Sequence, residues 1–317
     1  MIVAAAQAAP VFLDREATIA KACGLIDEAR SNGARLLAFP EAFVPAYPDW
    51  VWTVPAKEKR LLNALYGELL AQAVTVPGPA TDRLCDAARR ARLHVVIGIN
   101  ELNADASGTS LFNTLLYIDD AGRILGAHRK LVPTGGERLV WAQGDGSSLS
   151  SFTTSIGRVG GLICWENYMP LARYAMYASG TQIYVAATWD YGEPWGSTLR
   201  HIAKEGRTFV IGCTMALRRS DVPERFGFVD RYPSDREWIN PGASAIVDPE
   251  GRVVAGPLVK QEGIVTAEID IEMTRGPRWI LDVAGHYARP DVFQLKIDRS
   301  VRSIVTSVES VTESEPT

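Results

Sequence analysis

The chain has 317 residues, 47% hydrophobic and 22% charged, with a formal net charge of −4. This composition excludes a disordered or fibrous chain and fits a packed globule, either one large α/β domain or two smaller ones. The mildly acidic balance has no basic patch of the kind that binds nucleic acid. No apolar run approaches the ~18 residues of a membrane helix. Four cysteines (Cys23, Cys85, Cys164 and Cys213) lie far apart with no CxxC pair. That argues against a disulfide framework or a zinc knuckle and for a reduced, cytoplasmic protein.

Strands and helices alternate along the chain. Residues 2–8 are short and apolar, a buried first strand rather than a signal peptide. Asp14 is placed to cap a helix with Ile19, Ala22, Cys23, Ile26 and Ala29 on one face. A strand at 35–39 closes on Pro40-Glu41, and a loop rich in Pro and aromatics follows. Helices are expected at 57–73 and 81–92, then a strand at 94–99 buried on both faces. Hairpins are expected across Asp119-Asp120-Ala121-Gly122 and Asp248-Pro249-Glu250-Gly251, so the sheet should be mixed. Strands at 182–187 and 208–213 flank a helix near 198–205. Residues 217–240 read as a long polar surface loop, the pattern fades after Ile271, and 303–317 should be disordered. No repeat or linker divides the chain. Residues 1–302 are read as a single domain, with its C-terminal tail beginning near 271.

The chemistry is read at Val159-Gly160-Gly161-Leu162-Ile163-Cys164-Trp165-Glu166-Asn167. An apolar strand ends in one cysteine, and a helix-like segment follows. Cys164 should therefore stand on a sharp strand-to-helix turn at a sheet edge, with the Trp165 backbone N–H able to meet developing negative charge. A cysteine nucleophile needs a base or a positive field. His128 or His201 could serve in a Cys–His arrangement, although no protease signature surrounds Cys164, and His94 reads as structural. Glu41 and Lys130 leave strand ends as Cys164 does, the usual place for catalytic groups in sheet enzymes. Glu41 could take the thiol proton, and Lys130 could stabilise the thiolate. Glu166 is expected to bond backbone or a basic residue, and Asn167 to cap the following helix. Tyr47, Trp189 and Trp195 are candidates for pocket walls or core.

The segments Phe39-Pro40-Glu41-Ala42-Phe43, His128-Arg129-Lys130-Leu131-Val132-Pro133-Thr134 and Cys164-Trp165-Glu166-Asn167 resemble, in order, the three signature blocks of the nitrilase superfamily. The likeness is greatest to its nitrile-hydrolysing branch and runs from Gln7 to about Leu295. It implies a four-layer α-β-β-α sandwich of two mixed sheets with outer helices. It also implies a Glu–Lys–Cys triad, which falls on Glu41, Lys130 and Cys164, and a second glutamate that falls on Glu137. Substrate and the oxyanion would meet Trp165, Tyr47 and Trp189. Ala46 and Ala142 stand where glycines are expected, which bears on loop shape.

The resemblance implies hydrolysis of a small organic nitrile to a carboxylic acid and ammonia through a thioimidate and thioester on Cys164, with no metal or organic cofactor. An amidase or carbamoylase using the same triad is the nearest rival. Cyanide dihydration is a narrower variant, and a non-catalytic assembly protein is a third possibility that an intact triad disfavours. The family also implies a homo-oligomer, a dimer or larger and in some cases a spiral, with no nucleic-acid or membrane partner.

Overall fold

The computed structural model describes residues 1–105 and 107–302, so the tail expected to be disordered lies outside the described residues. In chain order the first half contains β1 (Ile2–Gln7), α1 (Arg15–Ser31), β2 (Ala34–Ala38), α2 (Lys59–Ala71), α3 (Pro79–Ala91), β3 (His94–Leu102), β4 (Leu111–Ile118) and β5 (Ile124–Arg129). The second half contains β6 (Phe152–Thr154), β7 (Gly157–Ile163), α4 (Pro170–Ala178), β8 (Ile183–Thr188), α5 (Glu193–Gly206), β9 (Phe209–Thr214), β10 (Ala216–Arg218), β11 (Trp238–Pro241), β12 (Ser244–Val247), β13 (Val253–Leu258) and β14 (Gly263–Glu268). Local chemistry explains many boundaries. Asp14 accepts the Ala17 N–H at 2.9 Å and caps α1, which buries Ile19, Ala22, Ile26 and Ala29 at helical spacing. Asp119 accepts from the Ala121 and Arg123 N–H groups at 3.0 and 2.8 Å and closes the β4–β5 turn.

Two six-stranded sheets form, ordered β14-β1-β2-β3-β4-β5 and β13-β12-β9-β8-β7-β6. β1–β2–β3 and β7–β8–β9 are parallel, joined by helical crossovers, and their flanking strands are antiparallel. Both sheets are mixed, as the hairpins at 119–122 and 248–251 predict.

Three apolar cores separate four layers. Ile19, Ala22, Leu84 and Ala88 of α1 and α3 pack on the outer face of the first sheet, against Ala4, Leu37 and Ile97. Val3, Leu36, Val96 and Leu115 meet Ile163, Val185, Ile211 and Ile246 between the sheets. Ala172, Met176, Leu199 and Ile202 of α4 and α5 cover the outer face of the second sheet. Such burial contributes about 25 cal/mol per Å² of apolar area, which makes these three interfaces the main source of stability.

Two expectations are corrected. Residues 217–240 are not simply a surface loop. β10 and β11 pair across the two ends of this segment, and Val222, Phe226, Phe228 and Tyr232 are buried in the first core. Their apolar side chains are too widely spaced among charges to show a period. Cys164 stands at the end of its strand as expected, but its side chain is not exposed there. It follows β7, which is flanked by β6 and β8, and it is buried at 5% exposure.

Candidate active site

Four segments deliver side chains to one place. Beyond β2 the chain turns through Phe39-Pro40 and crosses β3, bringing Glu41 inward. This crossing needs glycine at 98, because a Cβ there would lie 2.2 Å from the Pro40 carbonyl oxygen. Lys130 continues β5, with its N–H bonded to the Asn113 carbonyl at 2.8 Å. Glu137 lies in a 3₁₀ turn, Gly135–Leu139, and its Oε2 accepts the Thr134 N–H at 2.7 Å. Cys164 follows β7 with φ +52°, a left-handed conformation that costs a non-glycine residue of order 1–3 kcal/mol. Asn167 offsets this strain. Its Nδ2 donates to the Cys164 and Leu162 carbonyls at 2.8 and 3.2 Å, and its Oδ1 accepts the Tyr184 hydroxyl at 2.8 Å. Asn167 is therefore a brace on the turn. It does not cap α4, whose N-cap is Met169.

The side chains converge tightly. Lys130 Nζ donates to Glu41 Oε1 at 2.8 Å and to Glu137 Oε2 at 2.7 Å, and all three side chains are essentially inaccessible. A carboxylate oxygen of Glu41, one of Glu137 and the Cys164 sulfur lie within 4.8 Å of one another. Such a set could ligate a metal, but its cation is already the Lys130 ammonium. The two carboxylates are held from outside as well. Asn113 Nδ2 donates to Glu41 Oε1 at 2.7 Å and the Trp189 N–H to Glu41 Oε2 at 2.8 Å. The Tyr47 hydroxyl donates to Glu137 Oε1 at 2.7 Å and accepts Trp52 Nε1 at 3.1 Å. Asn113 had no place among the residues picked out from the sequence. A lone amide inside the apolar run Leu111–Ile118 was the available signal for Asn113.

Burial governs the charges. It opposes the Lys130 ammonium, yet the Glu41 and Glu137 carboxylates outweigh it and hold the lysine above its ordinary range. Burial, opposed by Lys130 and reinforced by the Glu137 charge, lifts Glu41 above the usual carboxylate range. Burial also raises the Cys164 thiol, the Glu41 charge adds to it, and Lys130 offsets only part. One ammonium is shared by two carboxylates, so no positive charge is left over for the sulfur, and Cys164 rests as a thiol.

The other candidates are placed as follows. Trp165 is half-exposed and its Nε1 donates to Asp190 Oδ2 at 2.8 Å. Tyr47 is buried and stacks on Trp189 with ring centres 4.3 Å apart. Trp195 is core. His128 bonds Glu166 at 3.1 Å rather than Cys164, and His201 lies on the surface of α5 against Glu205. Neither forms a Cys–His pair. Glu166 bonds backbone and a basic residue, as expected. Neither Ala46 nor Ala142 adopts a positive φ, so both sites accept alanine without strain.

This geometry has relatives. The carbon-nitrogen hydrolase family matches residues 2–278. The chain belongs to that family. It is 44% identical over 308 residues to the aliphatic nitrilase of Sinorhizobium fredii (strain HH103), covering 96% of this chain and 97% of that protein. It is 40% identical to nitrilase 1 of Arabidopsis thaliana, covering 98% of this chain and 90% of that protein. Nit3 of Saccharomyces cerevisiae, described as a member of branch 10 of the nitrilase superfamily, superposes with a TM-score of 0.71 at 20% identity. That match covers 90% of this chain and 96% of Nit3, and it shows the shared fold of the carbon-nitrogen hydrolases.

Proposed function

We propose that this carbon-nitrogen hydrolase converts an organic nitrile and two waters to a carboxylic acid and ammonia. The observation that carries the reading is the Lys130 ammonium shared between Glu41 and Glu137 beside Cys164. The relatives named nitrilases support the choice of substrate class. Because the thiol rests protonated, Glu41 takes its proton as the sulfur attacks the nitrile carbon. Lys130 protonates the nitrile nitrogen and Glu41 passes the thiol proton on to Lys130, giving a thioimidate and leaving Glu41 free to act as a base again. Glu41, assisted by Glu137, then activates a water that adds to this carbon, and ammonia leaves from the tetrahedral state. The resulting thioester takes the second water, releases the acid and restores the thiol. The third N–H of Lys130 and the Trp165 backbone N–H stabilise the tetrahedral states. Each such donor contributes about 3–4 kcal/mol to lowering the barrier. Tyr47 and Trp189 stand behind the two carboxylates as a stacked wall of the substrate site. No step calls for a metal or organic cofactor.

The nitrile is preferred to the amide because it presents a slim, linear group to a site backed by aromatic rings. On a matched nitrile and amide pair, kcat/KM for the nitrile is expected to be at least about tenfold higher, or about 1.4 kcal/mol of differential barrier. The acid is expected as the main product, with amide as a minor leak. Parallel ammonia-release kinetics on aliphatic, aromatic and arylacetonitriles and their amides check this. Faster turnover of the amide would make the protein an amidase.

We read residues 1–302 as one hydrolase domain whose C-terminal segment serves assembly. Phe293 and Tyr287 in that segment and Leu171 on α4 are large apolar side chains, exposed at 76, 59 and 66%, that line one cavity. Clusters of this kind mark protein–protein contacts. At least a dimer is expected by light scattering, and removal of 303–317 should change neither mass nor activity. A fully active monomer would refute this. Among the described residues, no helix is long and apolar enough to cross a membrane. The free cysteines among the described residues fit a reducing, cytoplasmic setting.

A further inference from the structure

Glu166 and His128 form a buried pair that the proposed chemistry does not use. The Glu166 carboxylate is inaccessible, and it accepts two backbone N–H groups through different oxygens. Leu131 N–H donates to Oε1 at 2.6 Å and Ile163 N–H to Oε2 at 2.8 Å. Leu131 directly follows Lys130 at the end of the first sheet. Ile163 directly precedes Cys164 at the end of the second. One carboxylate therefore ties together the two strand ends that carry the ammonium and the sulfur. His128 stands two residues before Lys130 on β5, and its Nε2 lies 3.1 Å from Glu166 Oε2. Its Nδ1 is 3.3 Å from the Ser148 hydroxyl, which fixes the ring from the other side. A lone carboxylate at this depth would cost several kcal/mol. Burial does push the Glu166 carboxyl up, but His128 and the two N–H donors hold it below the ordinary glutamate range.

We propose that Glu166 is a positioning residue for the reaction: its carboxylate, supported by His128, sets the spacing between the Lys130 ammonium and the Cys164 sulfur across the two sheets. The inference rests on the roles given above to Cys164 and Lys130. A glutamine at 166 would keep one acceptor oxygen and turn an NH2 toward the other backbone N–H, releasing one strand end. A displacement of about 1 Å at reacting groups can cost on the order of a hundredfold in rate.

The test uses the purified full-length enzyme and its Glu166→Gln, His128→Gln and His128→Leu variants, with 3-phenylpropionitrile as probe and ammonia as readout. Glu166→Gln and His128→Leu are expected to lose on the order of a hundredfold in kcat, with KM changed no more than about threefold. His128→Gln, whose amide can still donate to Glu166, should recover most of the loss. A brace for stability alone would lower the melting temperature and leave kcat of the folded protein unchanged, and that result overturns the inference. Equal losses in His128→Gln and His128→Leu overturn it as well. Should Glu166→Gln not fold, the two His128 variants decide. Failure of the earlier reading is separate: the wild type would then release no ammonia from any nitrile. The variants would in that case be compared on the amide it does hydrolyse.

Discussion

Cys164→Ala is expected to abolish ammonia release while leaving a folded protein. Without the thiol there is no covalent intermediate, and loss of a nucleophile of this kind costs on the order of a millionfold in kcat. The fold should survive for a reason visible in the chain itself. Ala42 already holds φ +49°, close to the +52° of Cys164, so alanine tolerates the left-handed turn at similar cost. The carbonyl of residue 164 keeps its bond from Asn167 whatever the side chain. The stability change should therefore stay near 1 kcal/mol, the middle of the range for point substitutions. Thermal unfolding and ammonia assays on the same preparation check both halves. Turnover above about one percent of wild type would sink the proposed mechanism, since the oxyanion donors alone cannot supply that rate.

Lys130→Met is expected to damage both stability and activity. Lys130 lies between two inaccessible carboxylates at 2.8 and 2.7 Å. Its removal strands Glu41 and Glu137 within 4.8 Å of each other with no cation between them. Breaking a buried ion pair in this way typically costs about 3–5 kcal/mol. One carboxylate will then take up a proton, which spoils Glu41 as a base or Glu137 as its assistant. Activity should fall by several orders of magnitude. The double variant Lys130→Met/Glu137→Gln separates the two effects. Removing one stranded charge should recover much of the stability in chemical denaturation, whereas turnover should stay lost, because the ammonium that serves the intermediate is still absent. A Lys130→Met protein as stable as wild type and active within tenfold would show that the cluster is not the centre of the reaction.

Both outcomes follow from one electrostatic fact. The cluster holds two carboxylates and one ammonium, so it carries excess negative charge before the thiol ionises. The sulfur can leave its proton only as Glu41 accepts it, and thiol activation is tied to substrate attack. This keeps the resting enzyme from holding a reactive thiolate.

Much of this was legible in the residues themselves, for reasons of local physics. Asp14 capped its helix and the turns at 119–122 and 248–251 closed their hairpins, because capping and turn chemistry depend on neighbours a few positions away. Glu41, Lys130 and Cys164 could be placed at strand ends because each apolar run stops beside them. The family membership was legible because three blocks lie in one order. Tertiary structure decided what depends on distance across the two sheets. Asn113 is a strand residue whose partner, Glu41, lies far away in sequence, and its place in an apolar run does not say which group it meets. The segment 217–240 looked polar, yet it buries Val222, Phe226 and Phe228, because burial is set by the surface a side chain meets. The resting state of Cys164 was left to the fold for the same reason. A lysine nearby suggests a thiolate, but only the fold shows that two buried carboxylates already share its charge.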